Sequence, residues 1–307
     1  MRLSRRRALL FFVDGLGLGP NDPSINPLVA ARTPSLDGLL GRKMTETAVI
    51  IRSNGAILVP TDATLDVDGL PQSATGQTAL LTGINAPKVV GRHVTAYPTT
   101  TLKAILTESN IFRQVMDRDG SVALANAYTP EYFSAVEVGR LRHGAVTFSA
   151  LSAGVPLRTP KDLGEGRAVF HDLTNAQPRA WGYEVPKISP EQAGRNLAGI
   201  ASEHHLTVFE FFLSDLAAHG RVPMAPVTVV EMIDQCLSGI IGAGKWDEML
   251  MVLVSDHGNI EDGRRDIHTR NPVPTLLVGN GRDRVAENIA AITDVTPAII
   301  EWLASEA

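Results

Sequence analysis

The chain of 307 residues is long enough to bury one large α/β core or two modest ones, and 44% hydrophobic with 20% charged residues is the composition of a soluble globular enzyme. A formal net charge of -5 leaves no electrostatic footprint for nucleic acid, despite the arginine cluster from Arg2 to Arg7, whereas an enzyme of anionic substrates needs only local positive charge. The single cysteine, Cys236, excludes an internal disulfide framework and fits a reducing cytoplasm.

In chain order, Arg2 to Arg7 followed by apolar residues has the outline of a signal peptide. The apolar run Ala8 to Val13 is too short for that, no small-residue cleavage pattern follows, and no segment is expected to span a membrane. Ala8 to Val13 reads instead as a buried parallel strand. Asp14 follows at its end, either as a turn residue or as a ligand at the carboxyl edge where open α/β sheets hold theirs. Gly15, Gly17 and Gly19 invite a dinucleotide-binding reading, but that fingerprint wants its third glycine where Pro20 stands, and Asn21-Asp22-Pro23 replaces the helix that should begin at once. Residues 21–33 read as a loop, and Thr33-Pro34 as the start of a helix with proline in its first turn.

Asp62, Asp66 and Asp68 read as turn and surface residues. They precede Gly69-Leu-Pro-Gln-Ser73-Ala-Thr-Gly76, a turn that leads into a short apolar helix ending at Gly83, with Ser73 at the helix N-terminus. A serine there commonly caps the helix; the alternative is a nucleophile, with the positive helix end welcoming a phosphoryl oxygen. The two roles compete for one oxygen, and Thr75 and Thr78 are possible substitutes. Arg92 and His93, just beyond, are either an anion clamp or solvated. Pro98 to Leu106 and Ile111 to Asp117 read as helices and Val122 to Ala125 as a strand. Residues 128–187 then form an insert read as a small lid. Its Arg140, Arg142 and His143 either grip a phosphate or carboxylate or decorate a solvated helix face.

Leu206 to Leu213 is a third buried-strand run. Asp215 and His219 follow four residues apart, a spacing that lets both side chains converge from one helical turn on a single ion. Val227 to Ile241 reads as a helix with Cys236 packed inside it. Glu248 to Val254 is the last such strand, and Asp256 and His257 emerge past its carboxyl edge, with His268 further along the same loop. Glu261, Asp262 and Asp266 between the histidines read as solvated, with one of them available to orient a histidine ligand. Three strands thus deliver carboxylates and imidazoles to one edge, a donor set that binds metal. The expected fold is α/β, a doubly wound and mainly parallel sheet with helices on both faces, in which residues 1–127 and 188–307 form one catalytic core.

Asp14 with its glycines, the Ser73-x-x-Gly76 turn, Asp215-x-x-x-His219, Asp256-His257-Gly258-Asn259 and His268-Thr-x-Asn-Pro-Val-Pro274 resemble the alkaline phosphatase superfamily. Within it the likeness is to the metalloenzyme branch of cofactor-independent phosphoglycerate mutase and phosphopentomutase. It covers roughly residues 8–110 and 200–305, with Asp294-Val-Thr-Pro297 as punctuation before the last helix. The resemblance implies two divalent metal ions, Mn or Zn. One would be held by Asp215, His219 and His268, the other by Asp14, Asp256 and His257, with Ser73 as the nucleophile that contacts the second ion.

Two cations a few ångströms apart can clamp the attacking and leaving oxygens of phosphoryl transfer, and carboxylates with imidazoles suit them, while the lack of thiolates argues against a soft-metal site. The resemblance departs at Gln77, where the mutase commonly has histidine, and in length, because the bacterial mutase carries a whole inserted domain after the nucleophile helix. The expected activity is hydrolysis of a small phosphate ester through a phosphoserine. The alternatives are phosphate transfer within a sugar or sugar-acid phosphate, and a non-catalytic scaffold of the same fold. Sulfatase chemistry fits less well, because Ser73-Ala-Thr-Gly-Gln77 lacks the Cys/Ser-x-Pro-x-Arg setting.

Overall fold

Alternation along the first strand sets the layering of the chain. In the computed structural model, which describes residue 3 and residues 5–305, β1 spans Arg7–Val13. Part of the cluster from Arg2 to Arg7 lies outside the described residues. Within it, Arg6 donates to the Trp302 carbonyl at 2.8 Å and Arg7 pairs with Glu248 at 2.8 Å, so both arginines tie down the start of the strand. Leu9, Phe11 and Val13 enter one hydrophobic core and Ala8, Leu10 and Phe12 the other, all fully buried. Each larger side chain contributes about 1.5–3 kcal/mol by burial, and a one-residue slip would send every one to the wrong face. That fixes Asp14 just past the edge of the sheet.

The remaining strands are β2 (Ile51–Ser53), β3 (Ala56–Thr61), β4 (Val122–Leu124), β5 (Leu206–Phe211), β6 (Met249–Val254) and β7 (Val273–Gly279). Their order across the sheet is β2-β3-β7-β6-β1-β5-β4. The pairs β6–β1, β1–β5 and β5–β4 are parallel, while β6–β7, β7–β3 and β3–β2 are antiparallel. The architecture is therefore α/β with helices on both faces, as expected, in a mixed sheet in which β3, β6, β1, β5 and β4 run one way and β7 and β2 the other. The loop after β6 makes no helical crossover to the opposite edge, so β7 starts beside the end of β6 and runs back antiparallel to it.

Helices Pro190–Ala201 and Pro226–Ala243 cover one face together, and two glycines let them touch: a Cβ on Gly194 would collide with the Cys236 carbonyl, and one on Gly239 with the Glu191 carbonyl. Against expectation, Pro226–Ala243 is long and apolar enough, by length and composition, to cross a membrane; half of it is buried inside this fold, with Cys236 at its core. Helices Ser73–Thr82, Thr100–Glu108 and Ile292–Ala304 cover the other face. Asp294 and Pro297 lie inside this last helix, not before it. Asp294 accepts from the Ala290 and Ala291 amides, and the Pro297 ring packs on Gly83. Between residues 128 and 187, helix Ala145–Ser152 joins the main core, whereas Leu163, Ala168, Phe170 and Val185 form a small cluster of their own with Ala127.

Candidate metal centre

Three strand ends and one helix start meet at the carboxyl edge of the sheet. Asp14 is the first residue beyond β1, and Asp256 and His257 follow β6. Asp215 lies on the short helix Leu213–Ala218 after β5, with His219 at its C-terminal end. His268 comes from the loop between β6 and β7. Two groups result, Asp14 with Asp256 and His257, and Asp215 with His219 and His268; within each, one donor atom per residue lies within 4.8 Å of the others. The rings of His257 and His268 stack with centroids 3.7 Å apart, so the groups are adjacent.

Backbone carbonyls set the histidine tautomers. Nδ1–H of His268 donates to the Pro71 carbonyl at 2.8 Å, that of His219 to Asp266 at 2.6 Å, and that of His257, at a long 3.4 Å, to Gly258. A carbonyl only accepts, so in the neutral ring the free lone pair is left on Nε2. All three Nε2 atoms face carboxylates: His257 meets Asp14 at 3.2 Å and Asp256 at 3.5 Å, while His219 and His268 meet Asp215 at 3.4 and 3.5 Å. Nε2 of His219 and Nε2 of His268 lie 3.3 Å apart, two lone pairs aimed at one point.

Three carboxylates crowd that arrangement. Asp14 Oδ1 and Asp256 Oδ2 are buried without a hydrogen-bond partner among the described residues. Burial first, then the neighbouring Asp14 carboxylate, pushes the Asp256 carboxyl well above the usual range. Burial opposes a charge on His257, yet Asp256 and Asp14 outweigh it and raise the imidazole to about 10. Asp215 goes the other way: burial would raise it, but the adjacent His268 imidazole, the charge of His257 and the hydrogen bond from Asn259 hold it well below the carboxylate range. Orphaned carboxylate oxygens, converging lone pairs and tautomers fixed from behind fit divalent cations, and an oxygen and nitrogen donor set accommodates Mn or Zn.

Ser73 is the first residue of helix Ser73–Thr82, and the cap position falls to Gln72, which makes no side-chain capping bond. The serine oxygen is thus free of capping and sits 3.1 Å from His257 Nε2. Thr75 is engaged with the Gln72 carbonyl and the Val94 amide, and Thr78 with the Ala74 carbonyl. Gln77 donates to Asp14 Oδ2 at 3.2 Å, one helical turn behind Ser73. Glycine is required at two contacts. Gly15, at φ +70°, would bring a Cβ to 2.9 Å from Asp215 Oδ1, and a Cβ on Gly76 would stand 2.8 Å from the Asp256 carbonyl.

The expectation that Glu261 and Asp262 are solvated is corrected. Glu261 is fully buried and accepts from the Gly17 amide at 2.9 Å, the Asn259 amide at 2.7 Å and Asn271 Nδ2 at 3.1 Å, with Thr269 as a further donor. It ties the loop after β1 to the loop after β6, and Gly17 leaves room for its carboxylate. Asp262 is buried against Arg264 at 2.7 Å, and Asp266 serves the site through its carbonyl.

A cavity of about 620 Å³ opens beside the two groups. Of the basic candidates only Arg142 lines it. Arg92 and Arg140 are exposed and outside it, His143 is bonded to the Tyr132 hydroxyl, and His93 lies half-buried near Gly69, its imidazole pushed down by burial. Sequence reasoning missed Glu210, Arg221 and the rings that form much of the cavity wall. A lone carboxylate within the apolar run of β5 was the available signal for Glu210.

Residues 183–307 match the family model described as the Metalloenzyme superfamily, a stretch that includes Asp215, His219, Asp256, His257 and His268. The 2,3-bisphosphoglycerate-independent phosphoglycerate mutase of Vibrio atlanticus is 30% identical over 135 residues, 41% of this chain and 26% of that protein. A second such mutase, from Methanosarcina acetivorans, is 28% identical over 204 residues, 63% of this chain and 35% of its own length. The chain thus spans about a quarter to a third of the curated relatives it matches. Among solved structures, a Pyrococcus horikoshii protein superposes with a TM-score of 0.58 at 16% identity, covering 100% of this chain and 99% of that one. A lipoteichoic acid synthase of Listeria monocytogenes gives 0.52 at 12% identity, over 99% and 73%. Both likenesses are of fold.

Proposed function

We propose that the chain, whose residues 183–307 match the Metalloenzyme superfamily, hydrolyses a small phosphate ester through a phosphoserine at Ser73, with two divalent cations. The observation that carries this reading is the Ser73 oxygen at a helix N-terminus, free of capping, 3.1 Å from His257 and beside two carboxylate–imidazole groups. Asp14, Asp256 and His257 would hold one cation and Asp215, His219 and His268 the other. When bound, the cations supply Lewis acidity, lowering the pKa of the serine hydroxyl and of water and neutralising charge on the phosphoryl oxygens.

The chain's own residues do the rest. Ser73 Oγ attacks phosphorus, the ester P–O bond breaks, and the alcohol leaves with that electron pair and takes up a proton. Water then attacks the phosphoserine, returning Ser73 and releasing inorganic phosphate. The positive end of helix Ser73–Thr82 favours the dianionic group during both steps, and Gln77 keeps Asp14 oriented. Residues 128–187 act as a lid over the cavity, anchored through helix Ala145–Ser152, and exclude water during the first step.

Phosphate transfer between two hydroxyls of one sugar or sugar acid is the second reading, favoured by the mutases among the relatives. Phosphate release from aryl, sugar and sugar-acid phosphates, with Mn²⁺ or Zn²⁺, for wild type beside Ser73→Ala separates the two. Release that needs both metal and Ser73 supports hydrolysis. Isomerised phosphate esters without release establish the mutase, and turnover by Ser73→Ala equal to wild type would sink the nucleophile assignment.

A further inference from the structure

One carboxylate in the cavity has no partner among the described residues. Glu210 lies on β5 among apolar neighbours, is partly buried and lines the cavity. Its backbone amide and carbonyl are both taken by the Asn126 side chain, but among the described residues no hydrogen bond or ion pair reaches its carboxyl group. Rings surround the same space. Tyr128 and Tyr132 stand 5.0 Å apart on one side, and Phe170, Trp181 and Phe212 contribute to the wall. The hydroxyls of Tyr128 and Tyr132 are bonded to Thr147 and His143, so the rings offer π-surface and their polar ends are occupied. Arg142 and Arg221 also line the cavity, but both are exposed and belong to its rim.

We propose that this cavity is the leaving-group subsite of the enzyme and takes an alcohol bearing an alkylated ammonium group, held between the aromatic rings and the Glu210 carboxylate. The inference rests on the phosphohydrolase reading for the word leaving group, and on the cavity alone for its chemistry. Aromatic faces attract a cation through their quadrupole, most strongly when it is desolvated, and alkylated ammoniums desolvate cheaply. A carboxylate below the surface is costly unless a counter-charge meets it. Burial, and then the Asp14 charge, pushes the Glu210 carboxyl up to about 8, so a cation bound beside it would hold it ionised at neutral pH. A phosphate bound at Ser73 leaves its ester chain free to enter the cavity, which the Ser73 side chain also lines.

The test is calorimetric titration of the metal-loaded full chain with choline and with 3,3-dimethylbutanol, its uncharged isostere. We expect choline to bind at least tenfold more tightly, and Glu210→Gln to reduce that preference at least fivefold. A second variant, Phe212→Leu, is expected to weaken choline more than the isostere. Equal affinities for the two alcohols in wild type overturn the proposal without relying on any variant's folding, as does no binding of either alcohol to a protein that releases phosphate from aryl esters. Selective choline binding without phosphoryl transfer from any ester leaves the cation subsite standing and removes the hydrolase reading.

Discussion

Replacing Glu261 with alanine isolates the residue that joins the two loops carrying the candidate metal ligands. In the native fold its carboxylate accepts from the buried amides of Gly17 and Asn259. Removing it strands both donors, and a buried unsatisfied N–H costs about 1–3 kcal/mol, so the pair gives about 2–6 kcal/mol. Asn271 and Thr269 are partly exposed and can turn to water, so they add little. Unfolding entropy near 2.1 cal/mol/K per residue makes each kcal/mol worth about 1.6 °C for a chain of 307 residues, so Tm should fall by about 3–9 °C. Glu261→Gln retains an acceptor oxygen and should lose roughly half as much. The assay is thermal unfolding followed by circular dichroism in chelator, which excludes any metal contribution, with the metal content of each variant measured after reloading. Because Asn259 also donates to Asp215 at 2.7 Å, Glu261→Ala should bind metal about 10–100-fold more weakly. A Tm within 1 °C of wild type, with full metal content, would refute the view that this carboxylate orders the site.

Three further predictions follow from separate parts of the molecule. His257→Ala should lower the content of one ion and His268→Ala of the other, each by elemental analysis; full wild-type content in both would sink the ligand assignment, and chelation should lower the wild-type Tm because bound cations stabilise only the folded state. His171, pushed by burial from 6.5 down to about 4, is neutral when folded, so its contribution is present above pH 6.5 and lost as pH falls toward 4, a change of about 3 kcal/mol. The stability of His171→Phe, by urea unfolding across that window, should therefore fall less steeply with acid than that of wild type, and parallel curves would contradict the burial argument. Gly239→Ala should cost about 1–3 kcal/mol by urea unfolding, because its Cβ meets the Glu191 carbonyl across a helix crossing that has no slack; a neutral result would mean the two helices can separate at no cost.

Much of the candidate site was legible in the sequence, because each strand and its candidate ligand are adjacent in the chain. An apolar run that ends in Asp14, or in Ser255-Asp256-His257, states both that a strand is buried and that a polar side chain stands at its edge. The four-residue spacing of Asp215 and His219 works in the same local way. Contacts among these segments cross stretches of chain that no local pattern records, 47 residues between His219 and Asp266 and 197 between Pro71 and His268, so their distances, the stacking of His257 on His268 and the proton positions fixed by the Pro71 and Asp266 carbonyls could not be read from spacing.

What the sequence determined by itself was the layering and the inventory: buried strands alternating with helices, and carboxylates and imidazoles delivered to one edge of a sheet. Only the tertiary structure decided which strands of the sheet run antiparallel, that Glu261 is buried, that Ser73 is relieved of capping, and that Glu210 shares a cavity with rings from distant parts of the chain. The physical reason is that hydrophobic periodicity records how far each residue lies from water, which is a local quantity. The role of a charged side chain depends on which partners surround it, and those arrive from anywhere along the chain.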